Sequence, residues 1–131
     1  MKRTWTCLVA SVFMGLSASA FALTAAEMKA ERTRIESTYK SAMESCKPMK
    51  DNAQDICEQQ AKGNKKVAEA ELRLKDKPSE KARYDARMAK ADADYDVAKE
   101  RCDDLSGEAK DACVKDAKAV HDKEKANAEM K

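Results

Sequence analysis

Cys46 and Cys57 stand 11 residues apart, and Cys102 and Cys113 repeat that spacing 56 residues further on. No other feature restricts the fold as much. A continuous α-helix rises ~1.5 Å per residue, so it would hold such a pair ~16 Å apart along its axis. A disulfide needs a Cα separation of about 5.5 Å. A helix, turn, helix hairpin closes that gap, and each stretch carries a turn signal between its cysteines: Lys47-Pro48 with Asp51 in CKPMKDNAQDIC, and Ser106-Gly107 in CDDLSGEAKDAC. The offset of 56 extends beyond the cysteines. Tyr39, Ala42, Glu44, Asp55, Ala61 and Lys62 recur as Tyr95, Ala98, Glu100, Asp111, Ala117 and Lys118. A constant offset over so many positions reads as an internal duplication. Four cysteines allow three pairings. The duplication selects the local one, Cys46 with Cys57 and Cys102 with Cys113, because each ancestral unit held a single pair.

Residues 1–22 read as a secretory signal peptide. Lys2 and Arg3 supply the positive start, Trp5 to Leu16 the apolar run, and Ala20-Phe21-Ala22 a small-residue cleavage site. The run is shorter than the ~20 residues a spanning helix requires, so the mature chain is expected to begin at Leu23 with no membrane span. Cys7 leaves with the leader. Four cysteines in an even pattern, in an exported chain, are expected to be oxidised, which places the protein in the periplasm.

The leader also takes two of the 26 Lys and Arg residues, leaving 24 to face the 24 Asp and Glu. A balanced chain lacks the basic footprint that nucleic acid or an anionic membrane surface would require.

Past the leader, Met28, Arg32, Ile35, Tyr39, Ala42, Cys46 and Met49 alternate at spacings of four and three, the signature of one helix face. Lys47-Pro48 ends or bends that helix. Asp51 reads as the N-cap of a second, with Gln54 completing a capping box. The second helix's better face is Ile56, Gln60, Gly63, Val67, Ala70 and Leu74, weakened by about 1 kcal/mol at Gly63 relative to Ala. Lys75 to Ser79, with Pro78, separates two units, residues 23–77 and 78–131. Tyr84, Met88, Ala91, Tyr95, Ala98, Cys102 and Leu105 then repeat the first seam, and Ser106 is placed to cap a fourth helix. That helix turns Ala109, Cys113, Asp116 or Ala117, and Val120 inward, then frays into a polar tail. Acid-then-base pairs four apart, such as Glu36 with Lys40 and Glu58 with Lys62, support the helices. The expectation is an all-α protein of two tandem disulfide-pinned helical hairpins, forming a slender four-helix bundle or an elongated rod.

The cysteines Cys46, Cys57, Cys102 and Cys113 are thus read as disulfide partners, with no catalytic, cofactor or metal role. Zinc is disfavoured by the lack of Cys-x2-Cys and the single His121. Met43, Cys46 and Met49 form a weak soft-ligand pattern, and the second unit has Lys99 and Leu105 where the two methionines stand. His121 reads as a solvated surface residue, and Asp92, Asp94 and Asp96 as a solvated helix face. Without a nucleophile set, phosphate loop or dinucleotide motif, the chain reads as a non-enzyme without cofactor.

The pattern Y-x-x-A-x-E-x-C-x10-C-x3-A-K, with LSGEAKDAC at the second turn, resembles small exported proteobacterial proteins labelled TolA-like cell-envelope proteins. The signal, the disulfide hairpins and the lack of site chemistry lead to the expectation of a non-enzymatic structural or interaction module of the cell envelope. The alternative is a periplasmic stress chaperone or ligand-buffering protein. The expected partner is an envelope protein or peptidoglycan. For the latter, Lys131 offers a C-terminal lysine similar to that of Braun-type lipoproteins.

Overall fold

The structure, a computed structural model, describes residues 22–130. Lys131 and the assigned signal peptide, apart from Ala22, lie outside the described residues. Four helices follow in chain order: α1 Ala25–Cys46, α2 Asp51–Asp76, α3 Glu80–Cys102 and α4 Gly107–Glu129. Among the described residues there is no strand, and no helix is long and apolar enough to cross a membrane.

The helix starts fall into two kinds. α1 opens on a capping box. The Glu27 amide donates to Thr24 Oγ1 at 3.2 Å, and the Thr24 amide donates to Glu27 Oε2 at 2.8 Å. The Thr24 amide, together with the Thr24 hydroxyl that donates to the same Oε2 at 2.7 Å, holds the Glu27 carboxyl below its ordinary range. α3 is capped by Ser79, whose Oγ accepts from the Ala82 amide at 3.0 Å. The other two helices begin inside the hairpin turns and lack any side-chain cap. Asp51 is not an N-cap. It is the first residue of α2, with a left-handed φ of 52°, and Lys50 holds the cap position without a side-chain bond. Gln54 turns forward to donate to Glu58 Oε1 at 3.0 Å. Ser106 does hold the cap position of α4, but its side chain makes no capping bond. In both turns the residue just inside the helix is left-handed, Gly107 at φ 58° standing at the counterpart of Asp51. That twist carries the chain round in place of a capping bond.

Each helix packs only on its neighbours in the chain. α1 touches neither α3 nor α4, and α2 does not touch α4. The result is a one-layer, up-down array in which the hairpins lie side by side, not end to end. α2 and α3 run antiparallel at the seam between hairpins, where Asn52 Nδ2 donates to the Glu100 carbonyl at 2.7 Å. Both disulfide-bearing turns therefore sit at one end of the molecule. Near the middle of the seam the backbones come close enough that a Cβ on Gly63 would stand 2.8 Å from Ala93 Cβ. Glycine is required there by packing, not by its dihedral freedom.

The inner helices bury two sides each. α2 buries Ala61 and Leu72 as well as Gly63 and Ala70, and α3 buries Ala93 and Val97 as well as Ala91 and Cys102. One-stripe readings of these helices captured only half of that. The edge helices bury little: Ile35 and Cys46 in α1, and Ala128 in α4. The polar tail expected to fray is helical to Glu129, and Arg87 Nη1 donates to the Ala128 carbonyl at 3.4 Å. Met49, counted in the α1 seam, lies in the turn and is 43% exposed.

Candidate functional site

The four cysteines pair as their spacing requires. Cys46–Cys57 closes the first hairpin and Cys102–Cys113 the second, with Cα separations of 5.5 and 5.7 Å. Cys46 and Cys102 are fully buried, so each staple anchors the last turn of its first helix. Cys46 is thereby removed from any ligand set with Met43 and Met49. Among the described residues no cluster of three His, Cys, Asp or Glu side chains is arranged to hold a metal.

One turn or more below each staple, the two helices of a hairpin are joined again by a three-residue clasp. In the first hairpin Lys65 on α2 donates to Glu36 Oε2 on α1 at 2.6 Å, and its ammonium lies 4.7 Å from the centre of the Tyr39 ring. The hydrogen bond lowers the Glu36 carboxyl below its usual range and raises the Lys65 ammonium above its own. The cation over the aromatic face adds a second attraction.

The positions 56 residues on hold Asp92, Tyr95 and His121, and they make the same clasp with different chemistry. His121 Nε2 lies 2.6 Å from Asp92 Oδ1, and the imidazole meets the Tyr95 ring at a centroid distance of 4.9 Å and a tilt of 37°. An ionised carboxylate only accepts, so Nε2 carries the proton. On the other side, Asp122 lies 3.9 Å from His121 Nδ1 and is itself bonded to Lys118 at 2.6 Å, which lowers its carboxyl.

His121 is therefore not a solvated surface residue, since its side chain is 19% exposed and held from two sides. The three aspartates of α3 do lie at exposed or half-exposed positions, and each also makes a surface pairing. Asp92 holds His121, Asp94 accepts from Lys90 at 2.7 Å, and Asp96 lies 3.9 Å from Lys66 across the α2–α3 seam. The offset that relates the cysteines also relates the two clasps, carrying Glu36, Tyr39 and Lys65 onto Asp92, Tyr95 and His121. An Asp–His dyad is half of a general-base arrangement. The sulfurs of Cys102 and Cys113, which line the same groove as His121, are joined in a disulfide and offer no thiolate.

Around each clasp a groove runs between the hairpin's helices. The first, about 100 Å³, is lined by Ile35, Tyr39, Ala61 and Asn64 among others. The second, about 350 Å³, has Ala91, Tyr95, Ala117 and Val120 at the matching positions. The fold and these sites together define an all-α protein of two disulfide-pinned hairpins, each carrying a clasp and a groove beside it; in the second hairpin a further groove of about 400 Å³, lined by Arg87, Lys90 and Asn127 among others, adjoins that one. Comparison of the chain with protein-family models, curated proteins and solved structures returned no match.

Proposed function

We propose that this chain is a non-enzymatic periplasmic protein that serves as a structural or interaction module of the cell envelope. The observation that carries this reading is the combination of two stapled hairpins with an array only one helix thick. Such a layer commits most of its length to surface, and its staples supply rigidity that a thin core does not. Two disulfides also favour an oxidising compartment. The leader over residues 1–22 supplies the route, and units 23–77 and 78–131 are the two copies of one ancestral hairpin. In-cell crosslinking followed by mass spectrometry tests the reading: recovery of one defined envelope partner or peptidoglycan fragment supports it. Capture of many unfolded clients would instead support a stress chaperone. An N-terminus at Met1 in the purified protein would remove the periplasmic assignment, which expects Leu23.

A second reading, a ligand-buffering periplasmic protein, is favoured by one observation, the enlarged groove of the second hairpin.

A further inference from the structure

The two grooves occupy the same place in their hairpins, so each residue of one can be compared with its counterpart 56 positions away. The differences run in one direction. Ile35, 6% exposed, fills the first groove, while Ala91 stands in its place in the second and leaves space. Asn64 is replaced by Val120, which is 61% exposed although it is one of the larger apolar side chains of α4. The charges reverse as well. Arg34 and Lys65 line the first groove with no acid among its lining residues. In the second, Asp94 replaces Thr38 and Glu124 replaces Ala68, Asp116 joins them, and Arg101 is the one cation. Asp94 is bonded to Lys90, whose ammonium Glu124 also attracts, and among the described residues Asp116 makes no salt bridge. The second groove thus has small or apolar residues, Ala91, Ala98 and Ala117, and a disulfide at its base, with exposed carboxylates at its rim.

We infer that the groove between α3 and α4 binds a small amphiphile with an apolar body and a cationic head, of which an alkylammonium ion is the simplest example. The apolar body covers Val120 and fills the space that Ile35 occupies in the other hairpin, a volume at the lower end of those that take small ligands. The head meets Asp116 and Glu124 at the rim. The inference deepens the ligand-buffering reading and is independent of the envelope-partner reading.

The test is a nuclear magnetic resonance titration of the oxidised protein with octylammonium, with octyl sulfate and octanol as charge-reversed and neutral probes. Octylammonium is expected to move the amide signals of Ala98, Ala117 and Val120 and to leave those of Ala42, Ala61 and Asn64 in place. Octyl sulfate is expected to bind about tenfold more weakly. Ala91→Ile and Val120→Asn each import the residue that the first hairpin carries at that place. Either is expected to weaken binding by about tenfold. Val120 is exposed, so V120N keeps the test valid if A91I does not fold. Asp116→Asn combined with Glu124→Gln is expected to abolish the preference for the cation. Equal binding of all three probes in this groove overturns the cationic head and leaves ligand buffering standing. Unchanged affinity in folded A91I and V120N overturns the groove as the site. No shift with any probe overturns both the inference and the ligand-buffering reading.

Discussion

Gly63 sits in the middle of a 26-residue helix, where replacing it with Ala should by intrinsic propensity gain about 1 kcal/mol. The structure reverses that sign. An added Cβ would stand 2.8 Å from Ala93 Cβ and 3.4 Å from Ala93 Cα. Unstrained carbon contacts lie at about 3.5–4.0 Å. Neither Ala93 atom can swing aside, because both are fixed to the backbone. The helices must therefore separate, loosening Ala70 and Val97 beside the contact. Overpacking of this kind costs about 1–3 kcal/mol. Against the propensity gain, Gly63→Ala should destabilise by ~1 kcal/mol, a fall in melting temperature of roughly 4–8 °C for a domain near this size. Ala93→Gly alone loses about 1 kcal/mol of propensity and about 0.8 kcal/mol for a buried methyl. The double variant moves the methyl from one side of the seam to the other and exchanges one propensity change for its opposite. It should return to near wild-type stability, giving a coupling of about 2–3 kcal/mol. Urea unfolding followed by circular dichroism of all four proteins completes the cycle. A Gly63→Ala variant more stable than wild type, or a double variant as weak as the sum of its parts, would falsify the close seam.

Three further outcomes follow from the hairpins. Asp51→Gly should stabilise the protein by about 0.5–1 kcal/mol, since a left-handed φ costs an L-residue ~1–2 kcal/mol and glycine's extra chain entropy takes back part of the gain; Gly107→Ala, at the counterpart turn, should destabilise, and thermal melts of both check the pair. Reduction should lower stability by ~3 kcal/mol per bridge on the chain-entropy account. Hydrogen exchange of Cys113→Ser should show α4 opening more than α1 opens in Cys57→Ser, because α4 buries only Ala128 while α1 keeps Ile35. The first clasp should be pH-bounded on both sides: Glu36, lowered from 4.5, contributes stability that is present above that value and lost as pH falls through its folded pKa. Lys65, raised from 10.5, contributes stability present below that value and lost as pH rises through its folded pKa. Glu36→Gln should flatten the acid limb of a melting temperature against pH profile, and an unchanged limb would count against the clasp.

The hairpins and their staples were legible because a spacing of 11 residues with a turn signal inside it admits few folds, and because the offset of 56 supplied a second instance. The seam of α1 was legible for a related reason, as an edge helix has one buried side and shows it as one stripe. α2 and α3 have two. In them Ala61 and Leu72, and Ala93 and Val97, fall on the side that a single-stripe reading assigns to solvent. Alanine compounds the difficulty, since it sits on either side without leaving a strong apolar signal. Asp51 was misread because an Asp before a helix resembles a cap, whereas its alignment with Gly107 marks it as a left-handed turn residue. His121 was misread because one histidine in a charged helix carries no local pattern. Its partner Asp92 is 29 residues away, and only the geometry of the hairpin brings them together.

The distribution of these contacts assigns different work to different seams. Within each hairpin the two helices are held three times over, by a disulfide at the turn, by a clasp further down, and by small residues packed between. Between the hairpins there is no covalent link other than the chain itself, and the polar ties are Asn52 to the Glu100 carbonyl and the 3.9 Å Lys66–Asp96 pair. An exposed pair of that length contributes about 1 kcal/mol or less. The α2–α3 seam therefore depends on the closeness of the two backbones, which Gly63 and Ala93 permit, and on the dispersion contacts that closeness brings to Ala70 and Val97. That seam is also the most extensive helix pair of the molecule, whereas α1 and α4 bury little, so the inner helices hold the two hairpins as one body through the contact at Gly63 while the edge helices rely on their staples and clasps.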